Sequence, residues 1–121
     1  MALKNPDRYY QEFWKLFNAE KFFEAHEVLE TLWRQTHGPE RDFYQGLIQI
    51  AAAFVHIQKG TPDGARKLLD KASKKLQKYG PVFHGLDLHA LLEQSTLVLQ
   101  SKAPFPRIPS PPLGEKARMR G

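Results

Sequence analysis

Between Leu47 and Ile57 the chain reads Leu-Ile-Gln-Ile-Ala-Ala-Ala-Phe-Val-His-Ile, in which nine of eleven residues are apolar. A helix that is apolar nearly all round has no solvated face, so it must lie at the centre of a fold. Gly38-Pro39 precedes this segment and Gly60 follows it. Glycine suits a left-handed helix stop, and proline is tolerated only in a first turn. The boundaries therefore predict one continuous, most-buried helix over 40–59. Its small residues, Gly46 and Ala51 to Ala53, let neighbours approach closely. On this reading Ala52→Leu overpacks the core. The longest uninterrupted apolar run, Ile50 to Val55, is far short of the ~20 residues that span a bilayer, so no membrane segment is expected.

The other elements must cover that central helix. Asn5-Pro6-Asp7 combines an N-cap, a first-turn proline and an acid at the positive helix end. It starts a first helix over 6–18, whose Tyr9, Tyr10, Phe13, Trp14, Leu16 and Phe17 form a wide aromatic face. A second helix spans roughly 21–36. Thr61-Pro62-Asp63 starts a fourth by the same logic, with Ala65, Leu68, Leu69, Ala72 and Leu76 in a helical stripe and Gly80-Pro81 as its stop. Asp87 caps a fifth over 88–101. No segment reads as a strand. Five prolines between Pro104 and Pro112 mark a tail. The expectation is an all-α fold: a compact single-domain bundle of about five helices over 1–102. A Pro-rich basic tail over 103–121, extended or disordered, contributes nothing to stability.

The net charge of +5 raises the question of nucleic acid. Most of the excess lies from Lys102 onward, where five basic residues face one acidic one. The fourth helix carries six Lys and Arg, but charges opposite an apolar stripe are a solvated face. No aromatic residues interleave with them as in a single-strand binder. Nucleic acid is therefore not the expected partner, and a small molecule or a protein is. There is no cysteine, so disulfides and thiolate metal sites are excluded. The first ten residues lack the apolar core of a signal peptide, and the expected location is cytoplasmic.

Ionisable groups sit where apolar ones are expected in Ala25-His26-Glu27-Val28-Leu29-Glu30-Thr31-Leu32-Trp33. At 100° per residue, Glu30 lies about 40° and Trp33 about 20° from His26, all on one narrow face. The central helix has its own polar stripe, with Gln45 and His56 within about 40° of Gln49. The two stripes are expected to face each other, because buried polar groups need partners. His26 and Glu30, one turn apart, can supply an imidazole and a carboxylate to one divalent ion such as zinc or manganese. His26-Glu27-x-x-Glu30 also echoes the zincin H-E-x-x-H pattern, with Glu27 in the general-base position. A third ligand is then required. His56 is the first candidate and His37 the second. The other reading needs no metal: His26, Glu30, Gln45 and Gln49 form a hydrogen-bond network that pins helix register. A third reading is another small-ligand pocket. Trp33 is expected to serve as core and not as a substrate platform.

His26-x-x-x-Glu30-x-x-Trp33 within Phe-x-x-Ala-His-Glu-Val-Leu-Glu, followed by Gln45-Gly46-Leu47-Ile48-Gln49 and Gly64-Ala65, resembles the family called domain of unknown function 309. The resemblance spans about residues 9–79. These small helical proteins are often labelled metal-dependent hydrolases. If the chain is an enzyme, its residues permit hydrolysis by metal-activated water, with His26 and Glu30 holding the ion and Glu27 or a second carboxylate taking the proton. The alternative is a non-catalytic helical binding or scaffold module.

Overall fold

The computed structural model describes residues 6–101 and 103–106. The expected Asn5 cap and the tail beyond Pro106 lie outside those residues. Five helices follow in order: α1 (Pro6–Asn18), α2 (Phe22–Gln35), α3 (Glu40–Lys59), α4 (Pro62–Leu76) and α5 (Leu88–Leu99). A single 3-10 turn, Gln77–Tyr79, extends α4. The all-α bundle around a buried central helix is therefore the observed architecture.

α3 is continuous and buries Phe43, Tyr44, Gly46, Leu47, Ile48, Ile50, Ala51, Ala53 and Phe54. It packs along α2 on one side and along α4 on the other. Aromatic rings from α1 and α2 close the core over it. Trp14 and Phe17 meet edge to face at 4.9 Å, Phe17 and Phe22 at 5.1 Å, and Phe22 and Phe54 at 5.1 Å. Such edge-to-face rings add to the burial free energy of each side chain. Gly60, at φ +81°, ends α3 in the left-handed conformation the sequence called for.

Three expectations change. Thr61 does not cap α4 with its side chain. Its hydroxyl donates instead to the carbonyl of His56 at 3.1 Å and lies 2.8 Å from His56 Nδ1. The predicted Asp87 cap does form, accepting from the backbone N–H of Ala90 at 2.9 Å.

The second change is a two-stranded hairpin, β1 (Val82–Phe83) and β2 (Leu86–Asp87), before α5. His84 and Gly85 turn it, at φ +52° and +71°. Positive φ at both turn positions matches the right-handed strand twist. With only two residues per strand there is no alternation for a sequence to show. His84 Nε2 lies 2.5 Å from Glu40 Oε2, and Tyr10 donates to the His84 carbonyl at 3.3 Å. The hairpin is thus pinned to the start of α3. Burial pushes the hydroxyls of Tyr10 and Tyr44 above the usual phenol range. Both remain protonated donors throughout the neutral range.

The third change concerns the start of the tail. The Phe105 ring lies 4.8 Å from Phe22 and 5.0 Å from Phe54, and Gln94 donates to the carbonyl of Pro104 at 3.1 Å. The chain folds back here and closes one end of the core. Phe105 is only partly buried. Phe105→Ala is therefore expected to cost about 1–2 kcal/mol in urea unfolding, less than a fully buried ring. An unchanged midpoint would restore the reading of a tail that contributes nothing from residue 103.

Candidate functional site

α2 places His26, Glu30 and Trp33 on one face, as its 3.6-residue period requires. His26 Nε2 stands 3.9 Å from Glu30 Oε2, and the two side chains are 26% and 31% exposed. They are half-buried rather than enclosed. Glu30 Oε1 accepts from Arg34 at 3.1 Å, one further turn along. The ring of exposed Phe23 stacks on His26, with centroids 6.0 Å apart and planes at 29°. Arg41 sits over the Trp33 ring at 4.2 Å and donates to the carbonyls of Trp33 and Thr36. The guanidinium thus closes the α2–α3 turn and covers one indole face.

The register of α2 against α3 follows from three contacts. Phe22 meets Phe54, Trp33 meets Arg41, and Gln58 donates to the carbonyl of Glu20 at 3.1 Å. The helices are antiparallel. His26 is level with Gln49 and Ile50, and Glu30 with Gln45 and Gly46. His56 lies six residues beyond that level, about 9 Å along the axis. Its imidazole is bonded to Thr61 and abuts Gly64, where an added Cβ would come within 2.7 Å of the ring.

The polar stripe of α3 does not face α2 directly. Gln45, Gln49, Ala52 and His56 are half-buried, whereas the opposite side of the helix is buried. α2 and α4 each pack along α3 and scarcely touch each other. The stripe therefore forms the floor of a groove between them. The expected hydrogen bonds from Gln45, Gln49 or His56 to His26 and Glu30 are not made. The overpacking expected at Ala52 loses its basis for the same reason: the residue fronts the groove.

Three polar atoms here are shielded from solvent without a hydrogen-bond partner: His26 Nδ1, Trp33 Nε1 and Gln49 Oε1. Long helical side chains lean toward the helix N-terminus. Trp33 thus leans toward the turn of Glu30 and His26, on the same stretch that Gln49 fronts from α3. A shielded polar atom with no partner costs about 1–3 kcal/mol.

The donor set does not fit a catalytic metal centre. Such a site takes three protein ligands. Among the described residues no three His, Asp or Glu side chains converge. Glu30 is committed to Arg34 and His56 to Thr61. His37 and Glu27 are exposed, and Glu27 points off the shared face. Sequence reasoning missed Phe23 and Arg41. It could have found Arg34, because Glu30 and Arg34 are a favourable i, i+4 pair.

A family model described as a domain of unknown function, DUF309, matches residues 10–68. The "Uncharacterized protein YpuF" of Bacillus subtilis (strain 168) is 33% identical over 75 residues, 60% of this chain. The chain spans 43% of that relative's length. The fold is similar to the crystal structure of a conserved hypothetical protein from Thermus thermophilus, with a TM-score of 0.67 and 32% identity. That match covers 83% of this chain and 99% of the other. None of these names carries an activity.

Proposed function

The chain belongs to the DUF309 family, and from that premise we propose that it is a small helical binding module, which takes a polar ligand at the seam of α2 and α3. The observation that carries this reading is the set of unpartnered polar atoms on His26, Trp33 and Gln49. Such atoms need a partner, either water or a ligand. Trp14 Nε1 in the core is shielded in the same way, and it is the gathering of the other three along one seam that points to a ligand. The indole N–H can only donate, the Gln49 carbonyl oxygen accepts, and the imidazole nitrogen can do either. Together they favour a ligand held by directed hydrogen bonds. A metal-dependent hydrolase would need a third ligand beside His26 and Glu30, and among the described residues no group of three His, Asp or Glu side chains supports that reading.

Thermal unfolding in the presence of zinc or manganese separates the two functions. An ion bound only to the folded state at 100 times its dissociation constant adds roughly 2.7 kcal/mol. For a domain of this size that is a rise of roughly 10 °C or more. The binding module predicts no such rise for either metal. A rise that disappears in both His26→Ala and Glu30→Gln would establish a metal centre in its place.

A further inference from the structure

The groove between α2 and α4 has a charge that its floor does not explain. Arg66 pairs with Asp63 at 2.8 Å, Lys74 with Asp70 at 3.3 Å and Lys78 with Asp42 at 2.7 Å. The Lys78 ammonium holds the Asp42 carboxyl below its usual range. Lys67 and Lys71 make no ion pair among the described residues. Lys75 is half-buried and shares the field of Asp42, which Lys78 already neutralises.

Helical spacing puts Lys71 and Lys75 within about 20° of Gly64 around α4. Gly64 abuts His56 at the edge of the α3 stripe. The two ammonium groups therefore stand on the groove side of α4. Across the groove, the Glu30 carboxylate is engaged by Arg34. The α4 wall thus carries uncompensated positive charge, and an unpartnered N–H donor, Trp33 Nε1, lies shielded just beneath the α2 wall. Gln49 on the floor can present either end of its amide, since carbonyl and amino orientation follow the local partner.

We infer that this groove binds the oxyanion group of a small molecule, a phosphate or a carboxylate, with Lys71 and Lys75 supplying charge and Trp33 and Gln49 supplying directed hydrogen bonds. This rests on the binding-module reading above and names its ligand class. Charge-assisted hydrogen bonds from ammonium and N–H groups are stronger than neutral ones. An indole N–H, which accepts nothing, discriminates for an acceptor. Arg34 and Lys67 widen the positive field without entering the floor. The anion's oxygens would meet the half-buried strip of α3 formed by Gln45, Gln49 and Ala52.

The test is a side-chain NMR titration of the 15N-labelled full chain with sodium phosphate, sodium acetate and sodium chloride at matched ionic strength. Trp33 and Trp14 each give one indole N–H signal, and Trp14, enclosed on the α1 side, is the internal control. Phosphate or acetate is expected to shift Trp33 and the Gln49 amide saturably while Trp14 stays still, and chloride to produce no saturation. A response to phosphate alone assigns a phosphoryl group. A response to both assigns a general oxyanion site, and to acetate alone a carboxylate. Lys71→Gln combined with Lys75→Gln should weaken the response at least tenfold. Ala52→Leu should block it while the thermal midpoint stays within a few degrees of the parent's. Equal response to chloride, or a response that survives both substitutions, overturns the proposal. So does silence to both oxyanions. If that silence comes with undiminished stability of Trp33→Phe and Gln49→Leu, the ligand class fails and the binding site stands.

Discussion

Phe54→Ala is expected to lower the unfolding free energy by about 3–5 kcal/mol, the range for deleting a fully buried aromatic ring. Phe54 is wholly enclosed on α3, and its ring meets Phe17 at 5.7 Å, Phe22 at 5.1 Å and Phe105 at 5.0 Å. One deletion therefore opens a cavity among α1, α2, α3 and the start of the tail. Few small domains keep much margin after such a loss, since the total is about 5–15 kcal/mol. Urea unfolding followed by tryptophan fluorescence reads the effect, because Trp14 belongs to the same ring cluster. A loss under 1 kcal/mol would mean that α3 is not the centre of the core.

The second large effect is expected at Gly46. A Cβ built there would stand 2.7 Å from both Cγ and Cδ2 of Leu76. Leu76 is fully buried at the end of α4, so it has little room to turn. Alanine ordinarily stabilises a helix interior over glycine by about 1 kcal/mol. Overpacking costs typically 1–3 kcal/mol, so Gly46→Ala should still be a net loss. The same change combined with Leu76→Ala removes the clash, so the pair should be less damaging than the sum of its parts. Additive losses would show that α3 and α4 do not meet closely at this point.

Both effects arise on the one segment whose placement the sequence made plain. Apolar residues all round 47–57 have a single physical solution, and α3 runs from Glu40 to Lys59 as expected. The helix starts and stops were legible wherever Gly, Pro or Asp carries a backbone requirement, as at Gly60 and Asp87. Thr61 misled because a hydroxyl at a helix start can bond forward or backward, and here it bonds back to His56. The hairpin was hidden by its length, and the docking of Phe105 by the prolines around it.

At the site, the shared face of His26, Glu30 and Trp33 was legible, since it depends on helical period alone. What faces that stripe was not. The angle of Gln49 about its own helix axis says nothing of where α2 and α4 sit, and they flank the polar stripe instead of covering it. The predicted direct network is therefore absent, and His56 pairs with Thr61 at the far end of α3. Glu30 found its partner within its own helix, in Arg34, and needed nothing from α3.

The central claim is that the shielded atoms of Trp33 and Gln49 serve a ligand and not the fold. Urea unfolding of the Trp33→Phe, Gln49→Leu double variant tests it most directly. Each substitution keeps most of the side-chain volume and deletes one unpartnered polar atom. Sites kept for function are commonly suboptimal for stability. The account predicts a stability equal to the parent's or higher by about 1 kcal/mol. A loss of more than about 1–2 kcal/mol would show that these atoms support the native packing, and would contradict the account.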